Sequence, residues 1–135
     1  MKKFLSTHYS AGAFNTATLL LRVCIGGMMM MHGYDKMVHF NATAQHMMNF
    51  MGIGSTATTA LVIFAEFFCS LLLILGLFTR LACIPLIICM GVALIKAHHN
   101  DFLGEGQPAA MYLVCFIALL LTGAGKVSVD SMISK

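Results

Sequence analysis

Apolar residues run through this chain in four long blocks, divided by short polar stretches. The most uniform block is TALVIFAEFFCSLLLILGLFTR, from Thr59 to Arg80, and it holds one carboxylate, Glu66, well inside it. A bilayer core about 30 Å thick is crossed by roughly 20 apolar residues as a helix. The pattern therefore predicts a span over about 56–78, with further helices over about 16–36, 81–97 and 108–122. In the first helix, Arg22, Gly26, Met29, Gly33 and Lys36 recur at 4-3-4-3 spacing and share one face. Glycines on such a face let a neighbouring helix approach closely.

The stretch from Phe40 to Gly54 is too short and too mixed to span. Met47, Met48, Phe50, Met51 and Ile53 alternate with Asn41, Gln45, His46 and Asn49, the pattern of an interfacial or re-entrant segment covering the bundle mouth. Thr79-Arg80 is expected as a tight turn. Pro85 is expected near the first turns of helix 3 and Pro108 in the first turn of helix 4, where a missing N–H does least harm. Gly123-Ala-Gly125 is the stop signal for helix 4. The expected fold class is all-α: a polytopic membrane four-helix bundle with an interfacial segment between helices 1 and 2, as a single domain over 1–135.

Composition sharpens this. Of 135 residues, 59% are hydrophobic and only 10% charged, with a mean hydropathy of +0.88. Soluble domains carry about 25% charged residues, so the lipid bilayer is the expected solvent. A net charge of +3 without any Lys/Arg run excludes nucleic acid as a main partner. Lys2, Lys3, Arg80, Lys126 and Lys135 fall on one side of the predicted spans, and Lys36 and Lys96 on the other. By the positive-inside rule both termini are expected to be cytoplasmic, in a multi-pass protein of the inner membrane. Lys2 and Lys3 resemble a signal n-region, but Arg22 inside the first apolar block argues for a retained helix. The cysteines Cys24, Cys69, Cys83, Cys89 and Cys115 form no C-x-x-C pair and are read as small buried hydrophobes.

Ionisable groups inside a span are costly and call for partners. Counted from the predicted helix ends, Arg22 and Glu66 lie at depths of roughly 9 Å and 15 Å from opposite faces. An intramembrane Arg22–Glu66 pair, structural or functional, is therefore expected. The other polar side chains gather toward the outer face: His32, Asp35 and Lys36 end helix 1, Lys96, His98 and His99 end helix 3, and Tyr112 opens helix 4. His32, Lys36, Glu66, Lys96, His98 and Tyr112 form the candidate ligand site, between helices 1, 2 and 4. Such donors suit the carbonyl or phenol head of an amphiphile, a quinone foremost, with Glu66 able to relay a proton. Met28 and His32, with His46-Met47-Met48 and His98-His99, offer ligands for copper, and His32 with His98 offers axial ligands for haem. These readings are weaker, and no metal site is assigned.

Arg22, His32-Gly33-x-x-Lys36, Glu66, Gly76-Leu-Phe-Thr79-Arg80, Lys96, His98 and the closing Gly123-Ala-Gly125-Lys126-x-Ser128-x-Asp130 together resemble the DoxX family over nearly the whole chain. The resemblance implies a four-helix membrane fold. Some members are subunits of a thiosulfate:quinone oxidoreductase or partners in membrane oxidoreductase complexes. It implies no metal or cofactor signature, and it marks the His-Gly-x-x-Lys and Glu positions as site residues. The expected function is that of a membrane subunit of a redox system, quinone- or quinol-interacting or accessory to an oxidoreductase complex. The alternatives are a non-catalytic scaffold or assembly protein and a small transporter acting as a homo-oligomer.

Overall fold

The computed structural model describes residues 5–97 and 101–135. Lys2, Lys3, His98, His99 and Asn100 lie outside the described residues. Helix α1 runs over Ala11–Val38, starting where the Ser10 hydroxyl accepts a hydrogen bond from the Ala13 N–H. At 1.5 Å per residue it is about 42 Å long, longer than the expected 16–36 at its beginning. After His39 come a short helix α2, Phe40–His46, and a single 3-10 turn at Phe50–Gly52. Asn49 accepts the Gly54 N–H at 2.7 Å and Thr58 accepts the Phe50 N–H at 3.2 Å. These bonds tie the interfacial segment to the next helix.

Helix α3, Ser55–Leu75, is the most apolar span, and it widens into a π-helical stretch at Phe64–Cys69. It ends on Gly76 in the left-handed region, where the Leu77 N–H reaches back to the Leu72 carbonyl at 2.9 Å. A glycine C′ with this bond pattern is the Schellman ending. Helix α4, Thr79–Val92, continues through a second π-helical stretch at Ala93–Ala97. The reversal thus occupies Gly76 to Phe78, and Thr79-Arg80 already belongs to the helix. Pro85 falls in the second turn of this helix, near the first turns as expected. Helix α5, Gln107–Thr122, opens on Pro108 and closes on Gly123. The five-residue helix α6, Val129–Ile133, follows, capped by Ser128.

The chain forms a helical membrane bundle, turned apolar side outward. Phe64, Phe68, Ile84, Ile88, Met111 and Leu121 are exposed, while Arg22, Thr59, Glu66, Ser70 and Thr79 are buried. Helices α1, α3 and α4 have the length and hydropathy of membrane spans. Helix α5 rises only about 24 Å and packs chiefly on α4. The face of α1 that is buried consists of Thr18, Arg22, Gly26, Met29 and Gly33, the stripe expected from spacing. Met29, Leu73, Cys83, Leu86, Phe116 and Leu119 fill the core. The segments 5–15 and 123–135 meet at one end of the bundle, here the terminal end, and the interfacial segment covers the opposite, loop end.

Candidate functional site

Close approach of α1 to α3 sets the register of every polar group. A Cβ on Gly33 would lie 2.6 Å from the Phe67 nitrogen and 2.7 Å from the Glu66 carbonyl carbon, and one on Gly26 would lie 3.3 Å from the Ser70 oxygen. Gly33 thus brings α1 against the backbone of Glu66 itself. Lys36, one turn further on, donates from Nζ to Glu66 Oε2. Glu66 is 4% exposed and stands in the π-helical stretch of α3, a kind of bulge often found at functional sites. Among the described residues its other oxygen, Oε1, faces only the Cys89 thiol of α4, with Sγ 3.8 Å away.

This register also separates the two charges expected to pair. Arg22 lies opposite Gly76 at the end of α3, where a Cβ would sit 2.8 Å from its Nη1. Ten residues, about 15 Å of helix rise, divide that level from Glu66. The Arg22–Glu66 pair does not form. Arg22 Nη1 donates to the Ala124 carbonyl and Nη2 to the Val127 carbonyl, the latter at 2.9 Å. Gly123 and Gly125, both at positive φ, fold the chain beneath the bundle so that these carbonyls reach the guanidinium. Asp130 joins the same cluster. Its carboxylate accepts the N–H groups of Phe78 at 2.7 Å and Thr79 at 2.9 Å, and it caps α4 across a turn in which Phe78 has φ 49. Burial raises the Asp130 pKa, but the two backbone donors and the Arg22 charge outweigh it and hold the carboxyl below its usual value.

Beside the Lys36–Glu66 pair lies a cavity of about 440 Å³ between α3 and α4. Lys36, Glu66, Thr58 and Cys89 are its polar or weakly polar lining, and the rest is apolar. Met47, Met48 and Phe50 of the interfacial segment cover its loop end. Leu61, Phe64 and Ile88 line it as well, and each is about half exposed on the outer surface of the bundle. The cavity therefore opens sideways, toward the hydrocarbon that surrounds the helices, with the ion pair as its polar floor. An apolar cleft with a few placed polar groups is the usual form of a small-molecule site.

Of the expected site residues, Lys36 and Glu66 come together at this cavity and the others do not. His32 is exposed and meets Tyr112 edge-on, ring centroids 6.1 Å apart, on the side of α5. Tyr112 is buried and stacks on Phe116. Neither lines the cavity. Lys96 is exposed in the second π-helical stretch, and His98 lies outside the described residues. The expected position between helices 1, 2 and 4 gives way to one between α3 and α4, because Gly33 turns the Lys36 face of α1 toward α3. Sequence reasoning missed Cys89 and the capping role of Asp130. The closing Gly-Ala-Gly-Lys-x-Ser-x-Asp run was a signal for the latter. Cys89 had none beyond its place in an apolar block.

A family model described as DoxX matches residues 17–99. The chain belongs to the DoxX family. The matched DoxX region contains Arg22, the His32 to Lys36 motif, Glu66 and the Gly76 to Arg80 turn, and stops before α5 and the closing segment. The chain is also similar to the inner membrane protein YphA of Escherichia coli (strain K12), 26% identical over 133 residues, covering 91% of this chain and 95% of that protein. No solved structure matches.

Proposed function

We propose that this DoxX protein binds a membrane-soluble amphiphile of the quinone/quinol class in the α3–α4 cavity, and serves as the membrane subunit of a redox system in the inner membrane. The observation that carries the reading is the Lys36–Glu66 pair on the floor of an otherwise apolar cavity open to lipid. A ring of this class needs an apolar slot for its body and a few polar groups for its oxygens, and its tail needs a lateral exit. Lys36 supplies N–H donors and Glu66 a carboxylate able to exchange a proton. The inner-membrane location draws on the name of the Escherichia coli relative together with the three apolar spans.

The test is thermal unfolding of the detergent-purified protein with a short-tailed benzoquinone/benzoquinol couple. The native protein should gain several degrees in Tm. Lys36→Met and Ile88→Trp, which remove a head-group contact and fill the cavity, should gain little. His32→Ala, away from the cavity, should gain as much as the native protein. Equal stabilisation of all four proteins, or none of any, would remove the site from the α3–α4 cavity.

A further inference from the structure

The two carboxylate oxygens of Glu66 are not equivalent. Oε2 is held by Lys36, whereas among the described residues Oε1 has only the Cys89 thiol, 3.8 Å away. An ionised carboxylate has about four lone-pair sites, and a thiol is a weak donor. The side chain is 95% buried and borders a cavity whose remaining lining is almost wholly apolar. A buried acceptor without a good donor is costly, more so when it is charged. What the cavity lacks is therefore a hydrogen-bond donor at Oε1. Lys36 directs one of its three N–H donors at Oε2 and can offer another to an incoming oxygen of either form, so the difference between the forms lies at Oε1. A quinone, whose carbonyls only accept, leaves Oε1 as it is, while a hydroxyl head satisfies it.

We infer that the cavity selects amphiphiles whose head donates a hydrogen bond, a quinol or other phenol, over the corresponding quinone or ether, with Glu66 Oε1 as the selecting atom. This rests on the pocket proposed above and names the form it takes. In the complex the phenolic O–H donates to Oε1, and the Cys89 thiol is displaced as its partner. Lys36 stays on Oε2, so the pair remains charge-balanced and the head must be neutral. Fatty-acid anions and quaternary amines, which would add an uncompensated charge beside a paired one, are disfavoured by the same geometry.

Three ligands with one ring and one decyl tail decide the matter: the benzoquinol kept reduced under anaerobic conditions, the benzoquinone, and the quinol dimethyl ether. Affinities are measured on the purified protein by calorimetry. A hydrogen bond to a charged group corresponds to roughly tenfold or more in affinity, so the quinol should bind at least tenfold more tightly than either of the others. In Glu66→Gln, which keeps the shape and loses the charge, the preference should fall below threefold. The comparison on the native protein stands even where Glu66→Gln fails to fold, and Cys89→Ala, which removes the competing thiol, should keep or raise the quinol preference. Equal affinity for the three ligands would overturn the inference and leave the pocket itself standing. Binding of none of them would overturn both.

Discussion

Gly33 is the residue on which the site turns. Its missing side chain lets α1 touch the α3 backbone at Glu66, and that contact, more than any attraction between charges, places Lys36 within reach. Gly33→Ala forces a methyl group into backbone, and overpacking of this kind costs about 1–3 kcal/mol. Gly27, six residues earlier, has open space around it, and Gly27→Ala gains up to about 1 kcal/mol of helix propensity. Denaturant unfolding in detergent should separate the two in opposite directions, and equal effects would remove Gly33 from its positioning role. The same method addresses the charges. Lys36→Met and Glu66→Gln should couple by about 0.5–3 kcal/mol, as contacting residues do, whereas Arg22→Met and Glu66→Gln should add to within about 0.5 kcal/mol. Coupling of the second pair would contradict the register described here.

Among the elements, the reversal between α3 and α4 is the one held from outside itself. Phe78 sits in a left-handed conformation and α4 has no capping side chain of its own, and Asp130 supplies both missing acceptors. Loss of a cap of this kind costs about 0.5–2 kcal/mol, so Asp130→Asn should lower the Tm at neutral pH. The folded carboxyl titrates below its unfolded value near 3.9. Its contribution is then fully present above that value and fades as pH falls through the lower folded one. The native and Asp130→Asn proteins should therefore differ at pH 7, and the gap should narrow as pH falls below about 3.9. A gap that persists unchanged to pH 3 would exclude the carboxylate as its source.

The four long apolar helices, the stripe on α1, the interfacial segment and the breaks at Pro108 and Gly123 were legible, because period and punctuation are local, whereas the reversal at Gly76 was expected three residues later, at Thr79-Arg80. What failed was depth. Arg22 was measured from a helix start at Thr16, whereas α1 begins at Ala11 and its level is fixed by glycine contacts with α3. The partner of Arg22, two carbonyls 102 and 105 residues away, leaves no periodic trace. Nor does the π-helical stretch that carries Glu66, since one extra residue in a turn swings the later side chains by roughly 100° without altering composition.

At the scale of the molecule, the asymmetry of Lys and Arg predicts which end faces which compartment. With Asn41→Cys as the single cysteine, an impermeant thiol reagent should label intact cells from outside, and Lys126→Cys should require permeabilisation. The opposite pattern would invert the bundle. The dependence of Arg22 on Ala124 and Val127 also sets an order of events during biosynthesis. Arg22 is translated first and enters the membrane in a helix where an arginine costs about 2.5–3.5 kcal/mol at mid-depth. At 5–20 residues per second its carbonyl partners follow roughly 5–20 s later. The first helix must therefore spend that interval with its guanidinium hydrated or at the membrane surface. Its carbonyl partners reach it only when Gly123 and Gly125 have turned the chain beneath the bundle.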